Sequence, residues 1–198
     1  MNKITDKIIL ASQSPRRREL LYSLGFDFEI ITPDVCEDLI EGLSPADFAA
    51  TISRRKLDAV LNTLCRGGNL PPAVAIIAAD TVVSINNKIL GKPIDENDAF
   101  DTLKTLSNNW HSVFTGLSVS VNGIVTTEVC ETRVKFRNLT DDEILAYIKT
   151  GKPLDKAGSY GIQECDFVEK YDGSYNNVVG LPTEMLMKIL EGGVTPPL

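Results

Sequence analysis

Asp80 stands inside an otherwise apolar run from Ala73 to Ile85, AVAIIAADTVVSI. A carboxylate in such a run cannot stay charged and unpartnered once it is buried. It must pair with a cation, bind a metal ion or take up a proton. A cation follows closely, Lys92 in Gly91-Lys92-Pro93. A turn at Asn86-Asn87 would set Thr81 opposite Lys92 in a hairpin. Lys92 then lies close to Asp80 in register, but on the other face unless Gly91 disturbs the pairing. A structural ion pair and a metal-binding or water-activating carboxylate both satisfy these residues.

A second chemical stretch is Ala11 to Leu21, ASQSPRRRELL. It runs from the end of a strand into the first turn of a helix, where Arg16, Arg17 and Arg18 oppose the helix dipole. A phosphate chain would compensate, because the helix N-terminus and the guanidinium groups both favour an anion. The alternative is a solvated basic turn offset by Glu19 and nearby acids. A third stretch is Asp155 to Gln163, DKAGSYGIQ. Its glycines and mixed polar groups read as a binding loop, in which Gln163 can pair with a base edge, or as a polar surface loop. Glu37 lies in an acidic segment with Asp34, Asp38 and Glu41, which suits solvent as well as a metal. Lys56, in ISRRKLDAV, also reads as a helix-surface lysine. His111 is the only histidine, which excludes multi-histidine metal sites and favours a hydrogen-bonded structural group. There is no G-x-x-x-x-G-K-[ST] and no strand followed by G-x-G-x-x-G, so P-loop and dinucleotide sites are excluded.

These residues need elements to hold them. Lys7 to Ala11 reads as a short buried strand, and Ser14-Pro15 opens a helix that ends near Gly25. Phe28 to Thr32 is a strand, and Ser44-Pro45 starts a second helix. In that helix Phe48, Ile52, Val60, Leu61 and Leu64 follow helical spacing only roughly. Ala73 to Ile85 turns back at Asn86-Asn87 into Lys88 to Leu90. Asp95 caps a helix to Leu106. Ser112 to Val121 and Ile124 to Phe136 flank Asn122-Gly123, a strong hairpin signal. Thr140 and Glu143 form a capping box for a helix to Thr150 that Gly151 closes. Phe167 to Tyr171 and Tyr175 to Val179 read as a hairpin about Asp172-Gly173. Thr183 to Glu191 is the last helix, closed by Gly192-Gly193. Hairpins mixed with strand-helix units predict an α/β fold with a curved mixed sheet and flanking helices.

The chain has 198 residues, 43% hydrophobic and 24% charged. That suits one domain, or one domain with two lobes around a cleft, over residues 1–198, large enough to bury roughly 70% of its unfolded surface without staples. A net charge of -7 counts against nucleic acid and anionic membranes as partners. No apolar run reaches about 18 residues, and the N-terminal apolar stretch is too short for a signal peptide. A cytoplasmic location is therefore expected. Cys36, Cys65, Cys130 and Cys165 form no C-x-x-C pair, so reduced and mostly buried thiols are expected.

In order along the chain, LASQSPRRRELL, AADTVV, GKP, HSVFTG, DKAGSYGIQ and GSYNNVVGLP resemble the motifs of the Maf family of nucleoside triphosphate pyrophosphatases. They span Leu10 to Pro182. The resemblance implies a mixed α/β fold shared with the inosine triphosphate pyrophosphatases, with the nucleotide in a central cleft. It implies Mg2+ or Mn2+ as cofactor and cleavage between the α and β phosphates. Asp80 falls on the family's proton acceptor. Ser12, Arg16 and Arg17 of S-x-S-P-R-R fall on substrate-binding positions. So do Lys56, at the place of the lysine that ends the second helix, and Lys92 of G-K-P. Glu37 falls on the early acidic position, which with Asp80 would hold the metal.

Three positions separate the subfamilies. The dTTP/UTP type carries Arg after S-P, Thr after the catalytic Asp and Gln after Y-G-I, which here are Arg16, Thr81 and Gln163. The 7-methyl-GTP type carries Trp, Gln and Glu there. The resemblance thus implies hydrolysis of dTTP and UTP to monophosphate and pyrophosphate. Its rivals are a modified-purine pyrophosphatase and a nucleotide-binding regulator of septum formation with little catalysis. A homodimer is implied by the resemblance alone. The chain departs from the family pattern at Leu57 after Lys56, in a longer segment CRGGNLPPA expected to be a surface insertion, and in the short loop Glu164 to Phe167.

Overall fold

The computed structural model describes residues 7–65 and 74–192, so most of the expected insertion, 66–73, lies outside the described residues. Strands β1 (Lys7–Leu10), β2 (Phe28–Ile30), β3 (Val74–Ile85), β4 (Lys88–Leu90), β5 (Trp110–Val121), β6 (Ile124–Phe136) and β7 (Val168–Asp172) form one sheet. Its order is β2-β1-β3-β5-β6-β7, with β4 also on β3. β2, β1 and β3 run parallel, whereas β3, β5, β6 and β7 pair antiparallel. The helices are α1 (Pro15–Ser23), α2 (Pro45–Cys65), α3 (Glu96–Leu106), α4 (Asp141–Ile148), α5 (Tyr175–Val179) and α6 (Thr183–Leu190). The mixed α/β architecture expected from the hairpins and strand-helix units is the one observed. Among the described residues, no helix is long and apolar enough to cross a membrane.

Strand alternation sorts the side chains of β3 between two layers. Ile76, Ala78 and Val82 pack with α2, while Ala75, Ile77 and Ala79 pack with α1 and α6. Asp80 belongs to the first set and Thr81 to the second. Asp80 is directly opposite Gly116 of β5. A Cβ on Gly116 would lie 2.2 Å from the Ala49 carbonyl oxygen, so the missing side chain lets the α2 backbone rest on the sheet.

β1 pairs with β3 only as far as Ile77, and β4 takes up the same strand from Val83. Between these two points this edge of β3 has no strand partner among the described residues. A cleft opens in that gap. The Asn86-Asn87 turn has both residues at positive φ, which Asn tolerates, and the register puts Ile85 opposite Lys88 as expected. The pairing stops at Leu90, before it reaches Lys92.

Three expectations need correction. Tyr175 to Val179 is helix α5, not the return strand of a hairpin. Ser174 caps it by accepting from Asn177 N, and the Asn177 side chain turns inward to bond Val113 O and Thr132 Oγ1. Lys56 lies in the middle of α2 rather than at its end. No thiol is fully buried: Cys36 and Cys65 are exposed, Cys130 and Cys165 half-buried, and all are free.

His111 is the structural group expected. It is 3% exposed, its Nε2 lies 2.8 Å from Tyr160 Oη, and its ring packs edge-on against Phe136 and Tyr160. Burial lowers its pKa to about 3. The unfolded chain protonates His111 below about pH 6.5, whereas the folded chain stays neutral until about pH 3. Stability is therefore unaffected by this group above that upper limit. It falls by about 1.4 kcal/mol per pH unit as acid is added between the two values. Urea unfolding of wild type and His111→Gln at pH 7, 5.5 and 4 should give stability curves that converge towards low pH. Parallel curves would remove His111 from the acid limb.

Candidate active site

Ser12, Arg16, Arg17, Glu37, Lys56, Asp80, Thr81, Lys92 and Gln163 all line one cavity of about 580 Å3. Segments from distant parts of the chain build it. Ala11 N donates to Ile77 O at 2.8 Å, which carries the end of β1 alongside β3 and delivers Ser12 to the cleft wall. Ser12 Oγ accepts from Ser14 N, and Ser14 Oγ caps α1 by accepting from Arg17 N.

The three arginines of the basic turn part company. Arg17 folds back against the protein: Nε donates to Gly180 O at 2.8 Å, Nη1 to Ser12 Oγ at 3.3 Å and Nη2 to Thr81 Oγ1 at 3.1 Å. Burial lowers its pKa, with Asp80 and Glu37 opposing that shift and Arg16 adding to it. Arg16 reaches across the cleft to Asp155 at 3.2 Å. Burial raises the Asp155 pKa, but hydrogen bonds from Lys156 and then Arg16 outweigh it and hold the carboxyl below its usual range. Arg16 is thus balanced by Asp155, not by Glu19, the neighbour considered from sequence.

Asp80 is 7% exposed, and the cation at its carboxylate is Lys56 at 2.7 Å. Lys56 is itself 7% exposed and reaches Glu37 at 3.0 Å. The buried face of α2 runs Phe48, Ala49, Ile52, Ser53, Lys56, Leu57, Val60. Lys56 thus occupies a core position of a regular helical stripe. That stripe was a signal in the sequence, obscured because the apolar positions alone skip 56. Lys92 and Gln163 sit exposed at the rim. Among the described residues, Lys92 makes no ion pair with Asp80.

Lys156 was not singled out from sequence. It is 5% exposed and lines the cavity. Its ammonium donates to Lys152 O and Asp155 Oδ1, and lies 3.1 Å from Glu164 Oε2 without the alignment of a hydrogen bond. It thereby ties down the loop that carries Gln163. The quoted stretch DKAG contains it, but nothing in the spacing marks that lysine as buried. Thr115 and Asn177, which stand behind Thr81, fall within the motifs HSVFTG and GSYNNVVGLP, but nothing there marked either as a site residue.

Among the described residues, no group of three or more His, Cys, Asp or Glu could hold a metal. Glu37 and Asp80 are the pair at hand, and both contact the Lys56 ammonium. Such a donor set fits a hard cation that brings most of its oxygen ligands with it, as a polyphosphate-bound Mg2+ does. The cavity therefore faces guanidinium groups and a helix N-terminus on one side with a carboxylate-ammonium-carboxylate cluster on the other. That arrangement suits an anion with several charges and a water attacking it.

A family model described as Maf-like protein matches residues 7–192. A Bacillus pumilus protein named dTTP/UTP pyrophosphatase is 43% identical over 96% of this chain and 99% of its own length. Proteins of the same name from Carboxydothermus hydrogenoformans and Thermococcus kodakarensis are 46% and 45% identical, covering 93% and 94% of this chain and 97% and 96% of theirs. Among solved structures, the Staphylococcus aureus Ham1 protein is 14% identical with a TM-score of 0.42, over 96% of this chain and all of that one.

Removing one member of a buried ion pair leaves the other uncompensated, at a cost of about 3 kcal/mol or more. Lys56→Met should therefore lower unfolding stability by about that amount, because Asp80 is left buried. The double variant Lys56→Met/Asp80→Asn should regain most of it. Denaturant titration of the three proteins measures this, and additive losses would show that Lys56 and Asp80 are not coupled.

Proposed function

The chain belongs to the Maf family, and on that premise we propose that it hydrolyses nucleoside triphosphates, dTTP and UTP foremost, to the monophosphate and pyrophosphate. One observation carries this reading. The basic start of α1 and the buried Asp80, separated by the whole of α2 in the chain, face the same cavity. The relatives named dTTP/UTP pyrophosphatase support the choice of substrate.

Arg17 and Arg16, with the N-terminal N–H groups of α1 and the rim ammonium of Lys92, bind and orient the triphosphate. Asp80 accepts the proton of the attacking water. The Lys56 ammonium holds the Asp80 carboxylate in place, and Glu37 shares that ammonium from the open side. Asp80 and Glu37 would hold a divalent cation, Mg2+ or Mn2+, which when bound would neutralise charge on the leaving pyrophosphate. Arg16, Thr81 and Gln163 occupy the positions at which the dTTP/UTP and 7-methyl-GTP subfamilies differ, which favours dTTP and UTP. Gln163 is the group able to pair with a base edge, next to Glu164, whose carboxylate lies 3.1 Å from the Lys156 ammonium.

Asp80→Asn should lower pyrophosphate release by about 100-fold or more while the protein still unfolds cooperatively. Near-normal turnover would remove Asp80 from its role. In the wild type, a chelator should abolish turnover, and rates should rank dTTP and UTP above CTP and 7-methyl-GTP. Faster cleavage of 7-methyl-GTP would place the chain with purine substrates, and nucleotide binding without any turnover would make it a regulator.

A further inference from the structure

We propose that Thr81 is a positioning residue for Arg17, with Thr115 and Asn177 behind it, and that it acts on the polyphosphate rather than on the base. Proton accounting along the hydroxyl chain leads there. Thr115 Oγ1 lies 3.1 Å from Asn177 O, a carbonyl that can only accept, so the single Thr115 proton goes to it. The 2.9 Å contact between the hydroxyls of Thr81 and Thr115 is then donated by Thr81. Arg17 Nη2 in turn donates to Thr81 Oγ1. Every proton in this row points inward, from guanidinium to Thr81 to Thr115 to the α5 backbone. Thr81 has no proton left to give to a base carbonyl. A Cβ on Gly180 would lie 3.5 Å from Thr81 Oγ1 and 3.7 Å from Arg17 Nε, so Gly180 closes over the same hydroxyl.

The far end of the row is anchored. Asn177 is fully buried, and its Nδ2 donates to Val113 O at 3.1 Å and to Thr132 Oγ1 at 3.0 Å. Thr132 donates to Ser174 O and accepts from Ser174 N. The guanidinium of Arg17 is therefore tied through two threonines to β5, β6 and α5. Three of its five N–H groups are spent on Gly180, Ser12 and Thr81, and each terminal nitrogen keeps one. That remainder is a preset pair of donors for phosphate oxygens. Granted the pyrophosphatase reading on which it rests, this role leaves discrimination between bases to Arg16 and Gln163.

The experiment uses the full chain with Mg2+ and inorganic tripolyphosphate as a base-free probe, measured by calorimetry, beside steady-state kinetics on dTTP, UTP and GTP. Thr81→Val and Thr115→Val should each raise the tripolyphosphate Kd, and the KM of all three nucleotides, by a common factor of about 10. kcat should fall less than KM rises, the dTTP-to-GTP preference should hold, and Thr115→Ser should restore binding. Thr115 is buried, so if its valine variant does not fold, Thr81→Val on the half-buried cavity wall decides alone. A changed dTTP-to-GTP ratio with an unaltered tripolyphosphate Kd makes Thr81 a base reader and overturns the proposal. Wild-type protein that binds tripolyphosphate but releases pyrophosphate from no nucleotide defeats the pyrophosphatase reading instead, and the variants' Kd still decides the role of Thr81.

Discussion

A carboxylate set among core residues has to be met by a positive charge, and most of the cavity follows from how Asp80 meets this demand. Its partner is Lys56, carried on the apolar face of α2. Next to that contact the α2 backbone rests directly on the sheet, where Gly116, opposite Asp80, offers no side chain to hold it off. A charge pair this enclosed is poor evidence of net stability, since desolvation offsets much of the attraction. Its value lies in geometry. It fixes a carboxylate oxygen at the cleft wall and keeps the side chain from folding away.

The opposite wall works by a different device. A helix N-terminus with adjacent arginines is electrostatically awkward when nothing negative stands before it. Arg16 finds Asp155, whereas Arg17 is held by neutral oxygens of Ser12, Thr81 and Gly180. Neutral acceptors fix the guanidinium without cancelling its charge, so its field remains directed at the cavity. Strand alternation separates the two devices: Asp80 faces α2 and Thr81 faces Arg17, one residue apart on β3. The break between β1 and β4 along that strand leaves room for both to reach one space.

Local chemistry made most elements readable. Asn86-Asn87 and Asn122-Gly123 adopt positive φ and close hairpins, Ser14-Pro15 and Asp95 start helices, and Thr140 with Glu143 forms both bonds of the capping box. The misreading at Tyr175 to Val179 has a local cause too. Asp172-Gly173 does end β7, but Ser174 then caps a helix, in which the Asn177 amide is buried against β5 and β6. Lys156 escaped notice because burial of a lysine depends on the acceptors around it, here a carbonyl and two carboxylates of its own loop.

The amino-acid order alone determined most of the elements, the family and most of the polar residues that do not fit a bland globular surface. These depend on turn, cap and periodicity chemistry within a few residues, and on motif order. Partner choice was decided only by the tertiary structure. Asp80 pairs with Lys56 rather than with Lys92, which lies nearer in sequence, and Arg16 meets Asp155 from 139 residues away. Such pairings depend on which face of a strand or helix points where after packing. A side chain missing at Gly116 or a pairing that stops at Leu90 sets that, and neither leaves a mark in the spacing of the charged residues themselves.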